Sequence, residues 1–126
     1  MSEITLNPFS KEDAQRFSSY DNRTTDKVIW VPVLPINTIL QQYFNNCPTS
    51  ISIGTEGFDL EIVTKLDWGT YQPEVLCIET LSYTEDKSGQ KLSSIIDYMG
   101  DKSHLLYVDT CINSIVARKE SWKKRR

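Results

Sequence analysis

Two strand patterns separated by one short amphipathic helix pattern constrain the fold of this chain more than any other feature. The run Ser50–Ile53 is followed by residues 58–66, where every fourth residue is apolar, as on one side of a helix. The next run, residues 74–81, is almost continuously apolar, which is typical of a strand covered on both faces. A helix between consecutive strands implies a crossover, and therefore an α/β fold with parallel pairing and helices packed on the sheet faces.

The patterns on the C-terminal side and before Ser50 extend this unit. Apolar residues at i, i+3, i+4, i+7 and i+8 predict a helix over residues 36–44, and the same kind of spacing predicts another over residues 91–99. Residues 104–110 and 112–119 are two strand patterns joined by very few residues. An antiparallel hairpin is the natural connection for strands so close in sequence.

The N-terminal part of the chain predicts less regular structure. Residues 1–27 are polar, and Ser10 with Asp13 has the spacing of a capping box at the start of a short helix. Residues 28–34 are rich in β-branched and aromatic side chains and predict a strand. Because Pro32 removes a backbone donor, we expect that strand to be short or to lie at a sheet edge.

Size and composition allow one domain and argue against several classes of protein. A chain of 126 residues with 39% hydrophobic and 25% charged residues is typical of a single globular domain. Its net charge of -3 gives no reason to expect nucleic acid, and we interpret the basic residues 120–126 as a solvated, frayed tail. No stretch approaches the ~20 apolar residues of a membrane span, and no signal-peptide pattern is present, which predicts a cytoplasmic protein.

Four segments carry a resemblance to one enzyme family. In chain order they are VIWVPVLPINTILQQYF, SISIGTEGFDLEIVTKLDW, YQPEVLCIET and INSIVARK. Together, over residues 28–119, they resemble the C-terminal half of FkbM-family methyltransferases, which use S-adenosylmethionine and have a Rossmann-like fold. The resemblance implies a partial methyltransferase sheet flanked by helices, with strands equivalent to the fourth to seventh of seven. Such a sheet is mostly parallel and ends in an antiparallel hairpin whose last strand lies between the fifth and sixth.

The resemblance also implies a cofactor site that this sequence does not contain. In such enzymes a glycine-rich turn after the first strand wraps the methionine part of the cofactor, and an acid after the second strand holds the ribose. The five glycines here are scattered, at positions 54, 57, 69, 89 and 100, and no Gly-x-Gly turn follows a strand. We therefore expect no cofactor for the isolated chain, and no catalytic competence when it is alone.

The turn after Ser50–Ile53 supplies most of the candidate site residues, because the carboxyl ends of parallel strands meet ligands. The resemblance matches Gly54 to an aspartate, and the following Glu56 and Gly57 to a Glu-Gly pair. Gly54 indicates either the loss of a functional carboxylate or simple accommodation of a bend. The candidate rim of the cleft comprises Gly54, Thr55, Glu56, Gly57, Asp59 and Glu79.

Structural roles compete with functional ones for these acids. Asp59 and Glu61 would lie in the first turn of a helix, where the amino-end dipole favours negative charge, and we interpret them as structural. Glu56 is either a hydrogen-bond acceptor for substrate or a structural one, and Glu79 either faces the cleft or pairs with a loop donor. His104, the single histidine, rules out a histidine-pair metal site and predicts a surface role. No catalytic residue is assigned.

Half a sheet leaves one strand edge exposed, and such edges promote association. The apolar face of the helix beginning at Ile36 also needs a covering surface. We expect a homodimer through the sheet edge or this helix face. The alternatives are that the strand predicted from Val28 folds onto the edge of its own chain, or that a separate chain supplies the missing half. The chain is then a methyltransferase-like half domain, an interaction module on the same scaffold, or an O-methyltransferase completed by a partner chain.

Overall fold

The computed structural model describes residues 12, 15, 19, 24, 27–55, 57–82 and 89–124. The chain divides into two compact units, Met1–Val33 and Leu34–Arg126. In the first unit Glu12 and Gln15 are helical, whereas the proposed N-cap Ser10 lies outside the described residues.

The second unit contains all the strands among the described residues. Its elements are α1 (Ile36–Tyr43), β1 (Ser50–Ile53), α2 (Asp59–Lys65), β2 (Val75–Glu79), β3 (Leu81–Ser82), β4 (Gln90–Lys91), α3 (Ser93–Asp101), β5 (His104–Asp109), β6 (Asn113–Arg118) and α4 (Lys119–Lys124). The α/β class and the helices expected near residues 36, 58 and 91 are confirmed, with ends that shift by one or two residues. β3 and β4 form a separate, short antiparallel pair.

The main sheet is mixed and has four strands in the order β1-β2-β6-β5. β1 and β2 are parallel, and Ile53 lies opposite Ile78 in their register. β6 is antiparallel to both of its neighbours, so β1, β2 and β5 run in one direction and β6 alone runs in the other. The predicted crossover and hairpin are confirmed. The position of the last strand, β6, between β2 and β5 is confirmed as well.

The hydrophobic core lies on one face of this sheet. Alternation along the strands points Ile53, Ile78 and Val116 to the same face, where α2 and α3 cover them. The core cluster consists of Ile53, Val63, Leu76, Ile78, Ile95, Met99 and Val116. On the opposite face Ser50 and Ser52 are exposed. The helices α2 and α3 therefore pack on the core face, while Ser121 and Trp122 of α4 lie beside Val75 and Ala117, whose side chains point to the other face.

The predicted strand over residues 28–34 is wrong. These residues have no regular secondary structure, and their large apolar side chains are exposed, to 99% for Trp30. A strand exists only as part of a hydrogen-bonded ladder, and no described strand pairs with this segment. Pro32 and Pro35 also lack the N–H group that a ladder uses. Composition alone therefore did not make a strand here.

The predicted frayed tail is also wrong for Lys119–Lys124, which form α4. The Trp122 ring lies 5.2 Å from the Tyr107 ring of β5, measured between centroids. Trp122 and Ser121 also line a shallow depression beside Val75 and Ala117. This aromatic contact holds the basic segment against the sheet. None of the helices among the described residues has the length and apolarity needed to cross a membrane.

Candidate functional site

The carboxyl ends of β1 and β2 lie side by side and form the candidate cleft rim. Because Ile53 is opposite Ile78, Gly54 and Glu79 are the next residues on adjacent strands. A Cβ atom placed on Gly54 would lie 3.8 Å from Oε2 of Glu79, which is an ordinary contact distance. The Glu79 carboxylate is therefore next to the position where the resemblance expects an aspartate side chain.

Asp59 is a buried acid at this rim. It is the first residue of α2 and is only 4% exposed. Thr55 Oγ1 donates a hydrogen bond of 3.2 Å to Asp59 Oδ2, while Oδ1 is buried and has no hydrogen-bond partner. The amino end of α2 favours the negative charge, as the sequence predicted. An Oδ1 without a donor is nevertheless unusual, because buried carboxylate oxygens normally receive a hydrogen bond.

The two glycines of the turn differ in what they need. Gly57 has φ +111°, a conformation that residues with a side chain rarely adopt, although a Cβ atom there would meet nothing within 4 Å. Gly54 does not have a left-handed φ, and a side chain would have room. The turn therefore requires glycine at position 57 and not at position 54. Glu56, between them, lies outside the described residues.

The described rim offers acceptors rather than a catalytic constellation. Carboxylate oxygens of Glu79 and Asp59 and the Thr55 hydroxyl suit ligands that present hydroxyl or ammonium donors. In the part of the chain that the structure describes, no three His, Cys, Asp or Glu side chains cluster as metal ligands.

The expected surface role of His104 is wrong. The residue is 3% exposed, at the start of β5, and its ring packs edge-on against Trp68 with 5.5 Å between centroids. Its Nδ1 lies 2.9 Å from the Lys102 carbonyl oxygen and its Nε2 3.1 Å from that of Pro73. Pro73 precedes β2, so His104 lies at the amino ends of the strands. It is thus at the opposite end of the sheet from the rim.

A buried hydroxyl pair beside the rim was not predicted from the sequence. Thr80 follows Glu79 directly, and its Oγ1 lies 2.6 Å from Ser114 Oγ of β6, with both residues buried. The Thr80 N–H also donates to the Ile112 carbonyl at 2.8 Å. These bonds fix β6 against the carboxyl end of β2. The only sequence signal was one small polar residue in each of two apolar runs.

Two exposed aspartates away from the rim have lowered pKa values. The Lys91 ammonium donates to Asp109 Oδ1 at 2.7 Å, and this hydrogen bond, with one from the Cys111 N–H, lowers the pKa of Asp109. The Thr70 hydroxyl donates to Asp67 at 2.7 Å and lowers the pKa of that carboxyl group. Both aspartates stabilise turns.

Comparison with known proteins finds no matching family model, no matching curated protein and no matching solved structure. The functional proposal therefore rests on the resemblance of the four sequence segments, the fold and the rim geometry.

Proposed function

We propose that this chain is a methyltransferase-like half domain of the FkbM type that is not catalytically competent alone. The supporting observation is the strand order, in which β6 lies antiparallel between β2 and β5. The family resemblance predicts that order for the fourth to seventh strands of a Rossmann-like methyltransferase sheet. β1 then corresponds to the fourth strand, and its free edge is where the first three strands would continue.

The rim is consistent with a cleft that keeps polar contacts and lacks the cofactor site. Methyl transfer to a hydroxyl group needs the cofactor's sulfonium carbon held in line with the acceptor oxygen, and a base for the proton. Carboxylates at Glu79 and Asp59 are suitable acceptors, but the 126-residue sequence has no glycine-rich turn to hold S-adenosylmethionine. Gly54 supplies no side chain where the family resemblance expects an aspartate.

Calorimetric titration of the purified chain with S-adenosylmethionine tests this proposal. We expect no saturable heat beyond dilution. The variant Gly54→Asp is the control for the rim, because a Cβ atom at position 54 makes only an ordinary contact with Glu79, and circular dichroism checks that the variant is folded. It should also fail to bind, since one carboxylate does not replace a cofactor turn. A micromolar dissociation constant for the unaltered chain would overturn the proposal.

An interaction module is the second candidate function, and exposed apolar surface favours it. On α1 only Leu40 is buried, while Tyr43 is 72% exposed and Ile39 and the adjoining Phe44 are also exposed. With the free edge of β1, this surface suits a homodimer, or a separate chain that completes an O-methyltransferase. We place this function in the cytoplasm, where thiols stay reduced, because all three cysteines are free.

Sedimentation velocity over a concentration series tests the second candidate. A homodimer should form with a dissociation constant in the micromolar range or below. A chain that stays monomeric at every concentration would rule out the homodimer and leave a separate partner chain as the remaining form of the module.

A further inference from the structure

We propose that two copies of this chain exchange residues 28–33, so that each segment adds as an antiparallel strand to the β1 edge of the other copy. This inference rests on the homodimer proposed above and gives it a segment, a direction and a register. It does not depend on methyltransferase ancestry.

The outer edge of β1 has backbone groups that can form hydrogen bonds with another strand. Thr49 O accepts a hydrogen bond from Val75 N at 3.1 Å, so by alternation the backbone groups of Ser50 and Ser52 point away from β2. β1 is the first strand in the sheet order, and no described residue bonds to that side. It carries no proline, charge or bulge of the kind that protects natural edges. The other edge strand, β5, is protected by an irregularity between Leu106 and Val108.

Residues 28–33 match this edge because of their chemistry. Val28, Ile29, Trp30, Val31 and Val33 are all exposed and have the β-branched or aromatic side chains that favour strands. Pro32 has no N–H, so its side of the backbone must face away from the ladder. That leaves Ile29, Val31 and Val33 to bond with β1. Pro32 then lies on the new outer edge and blocks further addition, which favours a closed dimer over a fibre.

Charge sets the direction of the added strand. An antiparallel segment brings Lys27 beyond the carboxyl end of β1, the end of the sheet at which the acids Glu79 and Asp59 lie. A parallel segment would place Lys27 at the opposite end, away from these acids. Lys27 is exposed and has no ion pair with the described residues. Charge complementarity therefore selects the antiparallel arrangement.

The register follows from using every available donor. If the added segment is shifted by two residues toward the amino end of β1, Val33 lies opposite Pro48, which has no N–H. A shift in the other direction leaves Ser50 without a partner. The remaining register uses all three bonding residues, with the hydrogen-bonded pairs Val33–Ser50, Val31–Ser52 and Ile29–Gly54.

This register also buries the most exposed side chain. Trp30 comes opposite Ile53, on the face that carries the core. A tryptophan buries roughly 150–250 Å² at an interface, so the two Trp30 side chains alone supply roughly 300–500 Å² of the roughly 1,200–2,000 Å² typical of a stable dimer. The other exchanged apolar side chains add to this area. A second copy is the appropriate donor because the segment forms no strand within the single chain.

Two proline variants test the exchange without touching the folded core. Val31→Pro removes an N–H that faces β1, whereas the matched control Val28→Pro removes one that faces outward. In sedimentation velocity we expect the wild-type dimer to persist in Val28→Pro, and the dissociation constant to rise at least tenfold in Val31→Pro. A monomeric wild type, or equal effects of the two prolines, would overturn the proposal.

Cross-linking separate copies tests the register directly. Chains with Val31→Cys are mixed with chains carrying Ser52→Cys, both with the three native cysteines changed to serine, and oxidised with glutathione disulfide. Hydrogen-bonded antiparallel pairs have Cα atoms about 5.5 Å apart, within disulfide range. We expect a covalent heterodimer, and none when Val28→Cys replaces Val31→Cys.

A covalent dimer equally strong with Val28→Cys would contradict the register. A chain that carries both Val31→Cys and Ser52→Cys tests for pairing within one copy. If this double variant forms an internal disulfide as a monomer, the exchange is overturned. Neither result involves S-adenosylmethionine, so failure here is distinguishable from failure of the half-domain proposal.

Discussion

At the scale of single residues, backbone conformation separates the glycines that the fold needs from those it does not. Gly57 has a positive φ in the rim turn, whereas Gly100 lies in α3 and a Cβ atom there would meet no neighbour within 4 Å. The sequence presented both as ordinary glycines, because φ depends on the path of the chain.

Alanine at these two glycines should have opposite effects on stability. Gly57→Ala should lower the free energy of unfolding by about 1–2 kcal/mol because the side chain forces strain. Gly100→Ala should raise it by about 0.5–1 kcal/mol because alanine is a better helix former. Urea denaturation of both variants measures the difference. Equal effects would contradict the backbone conformation described for the turn.

His104 has a structural role that could not be predicted from the residues next to it in the sequence. A polar turn before it favours an exposed position, but Trp68 and the Pro73 carbonyl, both distant in sequence, enclose the ring. We expect His104→Phe to cost about 1–3 kcal/mol of stability, because the ring can no longer donate a hydrogen bond to either carbonyl. His104→Gln retains a donor and should cost less in the same denaturation experiment. If His104→Phe has the same stability as the wild type, the carbonyl groups must bond to water instead.

At the scale of secondary structure, elements with long periodic patterns were predictable and short or partner-dependent ones were not. α1, β2 and the β5–β6 hairpin follow from apolar spacing. β3 and β4 have two residues each, too few to show a period. α4 could not be predicted from its basic sequence, because the helix is held in place by the contact of Trp122 with Tyr107. The rim could be located from the sequence, but the lack of a donor to Asp59 Oδ1 depends on three-dimensional contacts.

The Thr80–Ser114 pair should couple β2 to β6 energetically. Ser114→Ala leaves the buried Thr80 hydroxyl without its partner and should cost about 1–3 kcal/mol. Thr80→Val with Ser114→Ala should cost less than the sum of the single changes, because no orphaned hydroxyl remains. A double-mutant cycle by urea denaturation measures this coupling. Strict additivity would mean that the hydroxyls do not interact.

The Lys91–Asp109 hydrogen bond should make the β4 to β5 connection sensitive to acid. Because the pKa of Asp109 is lowered in the folded state, its contribution to stability is present above the unfolded pKa of aspartate and is lost as pH falls through the lowered value. In Lys91→Met we expect the pKa of Asp109 to rise toward its ordinary value. Carboxyl carbon NMR titrations of both proteins measure it. An unchanged pKa would assign the shift to the Cys111 N–H alone.

At the scale of the whole molecule, the described sheet has a core face covered by two helices and an edge strand, β1, with no described strand on its outer side. The helices α2 and α3 complete the core face, while β1 ends the sheet without a protecting feature. The fold class could be predicted because it follows from element order and connection length. The position of β6 between β2 and β5 was implied only by the family resemblance. What pairs with the β1 edge could not be predicted, because the apolar pattern of residues 28–33 does not show which strand edge they join. The strand exchange follows from this edge, whereas the half-domain proposal rests on the strand order.

The half-domain proposal is tested most directly by titrating S-adenosylmethionine into the wild-type chain and into Val31→Pro, in which the proposed strand exchange is blocked. Neither protein should bind the cofactor, because neither the exchanged strand nor a bare edge supplies a glycine-rich turn. Saturable binding with a micromolar dissociation constant in either protein would contradict the proposal.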